Sequence, residues 1–452
     1  MSNINKAQVN GTNRTKSTIS FWIKRGTLGA DQKIFSFVYG GAEYLMKFKS
    51  NDQINIYSYN GSSYVGRIET NQVFRDPSAW YHFHIQVDTT DATSGNRFRF
   101  YVNGEQVTSL LNSNTPSQND NFELSTSNHH LYIGSQSDGG DAFSGSFAHF
   151  HYTDGYSYAP TVFGSTDSTS GIWKPNTAPS VTYGTNGFFL KFENSGNLDL
   201  DSSGNNLTFT TAGTLTQNVD TPTNVYATLN PLYTIEYRSS LFLTNGNTTA
   251  NSNTSAWNTV PCTFEVSSGK WYFEGYGHTN GSNYVHYGVT SSAKMTANKT
   301  QPESEIQTNS NGYAIGYYGY NGNQYYSTTS ASTNAAYGAS YGNTDYIGIF
   351  MDLDNNKLYF SKNGTLQNSG TGLDLNAAGK PYLLAVAVYN GLTNVNFGSG
   401  VFGTTALTGT TYSDANNQGT FKYSPNQGGA ANFDSAAKNF YALNTKNIKE
   451  FG

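Results

Sequence analysis

WYHFHIQVDTTDATSGNRFRFYVNG, residues 80–104, is two strands and a turn written in side-chain chemistry. In its first half Phe83, Ile85 and Val87 share one face of an extended chain, and His82, His84 and Gln86 take the other. In its second half a run of aromatic and alternating residues ends on Asn103-Gly104, the pair that suits a tight hairpin turn with positive φ. The phrase returns at residues 356–364 as NKLYFSKNG, preceded there by DYIGIFMDLD. Two hairpins of one design in different surroundings point to an antiparallel, all-β chain, and to one turn solution reached twice rather than to an internal duplication.

Composition agrees. The chain has 452 residues, 36% hydrophobic and 12% charged, against roughly a quarter charged in ordinary soluble domains. Gly, Tyr, Phe, Ser, Thr and Asn dominate, and helical periodicity is absent outside a short candidate at 433–442. A formal net charge of -5 without any Lys/Arg block argues against nucleic acid as a partner. No apolar run approaches the roughly 20 residues of a spanning helix, so membrane insertion is not expected. The start MSNINKAQVNGTNRT lacks the apolar core of a secretion signal. Cys262, the single cysteine, reads as a buried structural thiol.

Short strand-like segments fill residues 1–165: TISFWIK, KIFSFVYG, EYLMKFKS, QINIYSY, RFRFYVNG, HHLYIGS and GSFAHFHYTD. They describe a first antiparallel sandwich. Residues 166–232 form a Gly/Asn/Thr-rich connector in which 187–194 (GFFLKFEN) returns a strand to that sandwich. A second series over 233–402 describes another sandwich, and 403–452 is a polar tail, packed along a sandwich or free to dock on a neighbour.

Those segments carry resemblances. SFWIK at 20–24, WYHFHIQVD, FYVNGEQV, LYIGS and FSGSFAHFHYTDG at 143–155 resemble, in that order, the laminin G-like, concanavalin A-like jelly rolls. SSGKWYFEGY at 267–276, YIGIFMDLDNNKLYFSKNG at 346–364 and VNFGSG at 395–400 resemble a SPRY domain, interrupted by a Tyr/Asn/Ser-rich insertion between Ala293 and Tyr341. The connector phrases HFHYTDGYSYAPTVFGSTD, GIWKP, YGTNGFFLKFENS, LDLDSSGNNLTF and DTPTNVYATLNPL, with the ending FKYSPN and FYALNTKNI, are similar to a module of marine tailed-bacteriophage virion proteins. That last resemblance implies a virion protein assembled in the host cytoplasm, with other virion proteins as partners.

Candidate sites follow from residue chemistry. Sugar rings stack on aromatic side chains while phenols and amides exchange hydrogen bonds with hydroxyls. The clusters that offer this are Tyr57, Tyr59 and Tyr64, and Tyr317, Tyr318, Tyr320, Tyr325 and Tyr326 with Asn321 and Asn323. The same tyrosines also suit sheet packing or subunit contact. Asp138 and Asp141 in SDGGDAFSG offer oxygen ligands for calcium, with a Gly-rich turn as the plainer reading and no other cofactor expected. His82 with His84, and His149 with His151, place imidazoles in pairs on sheet faces. A glycosidase needs two carboxylates at defined separation; the nearest pair, Asp352 and Asp354, sits before a turn and reads as turn-forming. The expectation is a non-enzymatic tail fibre or tail appendage protein, homo-oligomeric, contacting host-surface glycan or protein. The rivals are a capsid decoration or adaptor protein and, third, a polysaccharide-degrading enzyme.

Overall fold

The structure, a computed structural model, describes residues 2–124, 126–136, 139–168, 171–217, 219–233, 240–279, 283–297, 312–426 and 439–452. The chain divides into two units, 1–217 and 218–452, each an antiparallel β-sandwich with its own core. Segment 166–217 therefore belongs to the first unit, and both 218–232 and 403–452 belong to the second.

In the first unit, strands Lys16–Arg25, Tyr81–Asp88, Phe98–Val102 and Gly145–Asp154 lie in a six-stranded sheet, with Phe188–Leu190 on one edge. Phe83 faces Val102, Ile85 faces Phe100 and Val87 faces Phe98. Their side chains enter a core that also holds Phe21, Phe35 and Phe150, with Phe21 stacked on Phe150 at 4.7 Å between centroids. The facing eight-stranded sheet runs from the edge strand Leu110–Asn114 through Tyr64–Val73 and Gln53–Tyr59 to Asn3–Ala7 and Thr210–Ala212. A third layer closes the far side of the six-stranded sheet: residues 156–168 and 171–183 lie over it, Tyr158, Phe163 and Trp173 covering the histidine face of Tyr81–Asp88 and Tyr183 meeting His151 of Gly145–Asp154.

Both Asn-Gly turns use the same chemistry. Asn103 and Gly104 have φ of +50° and +85°, and Asn363 and Gly364 have +49° and +80°, the left-handed pair that a two-residue turn between twisted strands requires. Each Asn also reaches a third strand: Asn103 Oδ1 accepts the His82 N–H at 2.8 Å, and Asn363 Oδ1 accepts the Tyr346 N–H at 2.9 Å. Each Gly is a socket. A Cβ on Gly104 would lie 2.7 Å from the Trp173 ring, and one on Gly364 would lie 2.6 Å from the Tyr423 ring.

The second unit buries Trp271, Phe273, Tyr287, Ile349 and Val386 in its main core. Cys262 is buried there, its thiol donating to the Phe264 carbonyl and pushed up to about 12 by burial. The described residues after 402 are not a free tail. Phe421, Phe440 and Ala442 pack on Tyr272 and Phe350, and Tyr441–Ala442 pairs in parallel with Lys270–His278. The expected helix at 433–442 is replaced, where described, by that strand; 433–438 lie outside the described residues, and the terminal helix is Thr445–Phe451, capped by Asn444. Two buried carboxylates anchor the segment. Glu274 accepts the Lys422 N–H at 2.9 Å and the Tyr423 N–H at 2.8 Å. Asp414 accepts the Ala442 N–H at 2.8 Å and the Asn447 amide at 2.7 Å. Burial raises Glu274 to about 7 against four donors, which also include Tyr272 and Asn396.

Candidate functional site

Strands Gln53–Tyr59 and Tyr64–Val73 meet in a hairpin tip shaped by Asn60, whose Oδ1 accepts the N–H groups of Ser62 at 3.0 Å and Ser63 at 2.9 Å. That side-chain turn brings Tyr57, Tyr59 and Tyr64 together. Tyr64 lies 5.3 Å from Tyr57 and 5.4 Å from Tyr59 by ring centroids, and the Arg67 guanidinium lies 5.2 Å from the Tyr64 ring. The three do not play equal parts. Tyr57 donates to Glu43 Oε1 at 2.5 Å, and burial with that carboxylate holds its phenol well above the ordinary value. Tyr59 is half-buried, whereas Tyr64 is 41% exposed. Tyr64 offers the ring and the others hold it.

Beside Tyr64 opens a cleft of about 450 Å³, lined by Asn60, Asn114, Asn121, Asp120 and Glu123 among others. Its size falls within the usual span of small-ligand sites. Asn114, at the end of the edge strand, donates its amide to the Tyr64 carbonyl at 2.6 Å and ties the two walls together. Burial opposes ionisation of Glu123, but His129 at 3.2 Å and Arg14 at 3.2 Å outweigh it and hold its carboxyl below the usual range. Glu123 is therefore a fixed anion at neutral pH, the wrong state for the proton donor that glycoside hydrolysis needs. Sequence reasoning missed the Asn114–Glu123 wall; the signal was the polar run NTPSQNDNFE at 114–123, which carries no strand alternation.

The second tyrosine cluster divides between two faces. Tyr317 points into the core among Tyr337, Tyr341 and Phe360, its hydroxyl donating to the Ala339 carbonyl. It cannot meet a ligand, contrary to the expectation. Tyr318 takes the opposite face, stacked on His286 at 4.4 Å and edge-on to Tyr325 at 5.4 Å. Tyr320 is 58% exposed and sits 5.3 Å from Tyr284. Trp257 completes this aromatic surface, 5.6 Å from both Tyr318 and Tyr389. Trp257, His286 and Tyr389 come from three strands far apart in the chain and Tyr284 immediately precedes one of them, so no local pattern announced them. Asn321 Oδ1 accepts the Asn323 N–H at 3.0 Å, so this amide shapes a turn; Asn323 is half-buried.

Other candidates resolve structurally. Asp141 faces the Lys33 ammonium at 3.9 Å, a competing cation at the position expected to hold calcium; Asp138 lies outside the described residues. The two histidine pairs are not on neighbouring strands, because Lys16–Arg25 runs between them. Among the described residues no group of three or more His, Cys, Asp or Glu side chains is arranged to hold a metal ion. Asp352 accepts from Asn355 at 2.9 Å and pairs with Lys270 at 3.4 Å, while Asp354 accepts the Gly269 N–H at 2.8 Å. Both are turn carboxylates.

Comparison with known proteins bears on both units. Residues 3–155 match the model of the concanavalin A-like lectin/glucanases superfamily, and residues 270–399 match that of the SPRY domain. The chain thus carries a concanavalin A-like domain followed by a SPRY domain. Among solved structures, the SPRY domain of human HERC1 is 16% identical over 34% of this chain and 91% of that one, with a TM-score of 0.28. The heptameric SAP-like pentraxin from Limulus polyphemus is 16% identical over 39% of this chain and 87% of that one, with a TM-score of 0.29. No curated protein matches the sequence.

Proposed function

We propose that this concanavalin A-like and SPRY chain is a non-enzymatic binding protein of a phage particle, part of a tail fibre or tail appendage, that holds a host-surface glycan in the Tyr64 cleft. The observation that carries the binding role is the cleft itself: an exposed aromatic ring over a cavity walled by Asn60, Asn114 and Asn121. Ring face and amides are the two halves of sugar recognition, one for C–H surfaces and one for hydroxyls. The lectin-like match over 3–155 supports it. Placement on a virion rests on the likeness of the connector and ending to phage proteins. Such a site works by repetition, several weak contacts on a homo-oligomer gaining avidity.

Tyr64→Ala should weaken binding to the host's surface polysaccharide about tenfold per site, the loss of one stacking contact of about 1.5 kcal/mol, with the melting temperature unchanged. Glycan binding by the assembled wild-type protein, read by calorimetry alongside inhibition of phage adsorption, is the measurement. No binding by the wild type, or equal binding by the variant, overturns the reading. The aromatic surface around Tyr320 favours a second one, a capsid decoration or adaptor protein that buries this surface against a neighbour; labelling the protein on the particle separates the two.

A further inference from the structure

Trp173 is held in the first unit by two glycines and a histidine. A Cβ on Gly104 or on Gly164 would lie 2.7 or 2.6 Å from its rings, so the indole fills a socket that only glycine leaves open. Its Nε1–H donates to His82 Nδ1 at 2.9 Å. Because that nitrogen accepts, the imidazole proton sits on Nε2, which lies 2.8 Å from Ser20 Oγ. Two more histidines meet the same covering segment: His84 Nε2 donates to the Tyr158 carbonyl at 3.0 Å, and His151 Nδ1 lies 2.9 Å from the Tyr183 hydroxyl. His82, His84 and His151 are all buried.

We infer that residues 156–168 and 171–183 form a lid over the six-stranded sheet, latched by uncharged histidines and released when they take up protons. A proton on His82 Nδ1 turns an acceptor into a donor facing the indole N–H, and the latch becomes a clash of two donors. It also leaves a charge between the Trp22 and Trp173 rings. The neighbouring charges offer no relief. Arg99 bears on His84 and Lys191 on His151, both opposing a further positive charge. Lys24 lies on the same strand face as Ser20 and Trp22. Glu193 acts on the half-exposed His149, beside which Lys191 offsets it. Lys16–Asp88 and Lys174–Asp167 are already paired, at 2.9 and 2.7 Å.

Burial holds His84 at about 3 and keeps His82 and His151 well below the ordinary imidazole value of 6.5. The open lid therefore binds more protons than the closed one. Closure is fully stable above about pH 6.5 and weakens as pH falls toward the depressed values, steeply because three rings act together. Release bares Trp22, Tyr101 and the imidazole layer.

Hydrogen exchange of the full chain between pH 7.5 and 4 tests this, after correction for the intrinsic pH dependence of exchange. Peptides from 156–183 should lose protection at least tenfold while peptides from Tyr81–Asp88 remain protected. The double variant His82→Gln, His151→Gln should open at a pH lower by about one unit. Should that variant fold poorly, Trp173→Phe, which keeps the ring and removes the donor, should flatten the pH dependence. Simultaneous loss of lid and sheet protection, or a pH response unchanged in a folded variant, overturns the inference.

Discussion

Deleting residues 403–452 abolishes the unfolding transition of the second unit and leaves that of the first in place; this is the expected result of a denaturant titration followed by tryptophan fluorescence and circular dichroism. The deletion removes Phe421, Phe440 and Leu443 from buried positions. Each contributes about 1.5–3 kcal/mol through burial. It also takes away the Lys422 and Tyr423 N–H groups from Glu274, a fully buried carboxyl that keeps only Tyr272 and Asn396 as partners. Leaving a buried polar group short of its hydrogen bonds costs about 1–3 kcal/mol. Together these losses match the whole stability of an ordinary domain, about 5–15 kcal/mol. Persistence of two transitions in the shortened chain would refute the account, and the first unit serves as the internal control.

Trp173→Ala ranks next and acts on the other unit. Removing a fully buried aromatic costs about 3–5 kcal/mol and a half-buried one such as Trp173 about 2–3, and His82 Nδ1 loses its donor in the same step. For a unit of this size the transition should fall by about 4–12 °C. Calorimetry of the full chain reads it, with the second transition unmoved. A shift below about 2 °C would mean that the covering segment holds itself in place without the indole. The contrast with Tyr64→Ala is instructive, since that ring is exposed and its loss should change binding while sparing stability.

Much of the fold could be read in advance because a strand with one buried face repeats every two residues. FHIQV reveals Phe83, Ile85 and Val87 as core without any knowledge of neighbours, and Asn-Gly reveals its turn through the one backbone shape that other residues resist. What failed to show was anything depending on a second contact. His82 and His84 looked like an outward polar face, and their burial depends on residues 74 to 91 positions further on. Tyr317 and Tyr318 necessarily face opposite ways, but which one meets the core follows from pairing with Val285–Ser291, which adjacent tyrosines do not announce. The C-terminal segment read as a polar tail because its core residues are few, and the polar ones between them, Asp414, Asn444 and Asn447, are buried through hydrogen bonds rather than apolarity. In the binding cleft, the ring was legible as an aromatic cluster and the amide wall was not, since loop residues carry no period.

The paired sockets at Gly104 and Gly364 bear on the order in which the molecule assembles. In each unit the hairpin that makes the socket leaves the ribosome about 60–70 residues ahead of the ring that fills it. Hairpins close in microseconds from local contacts, whereas Trp173 and Tyr423 have to return from far along the chain. Each sandwich is thus expected to nucleate first and to be sealed last, by its own downstream segment. Contacts made after the rate-limiting step govern how fast a fold comes apart rather than how fast it forms. On that order of events the two aromatic plugs should set the lifetime of the folded units, so that removing either ring is expected to speed unfolding more than it slows folding.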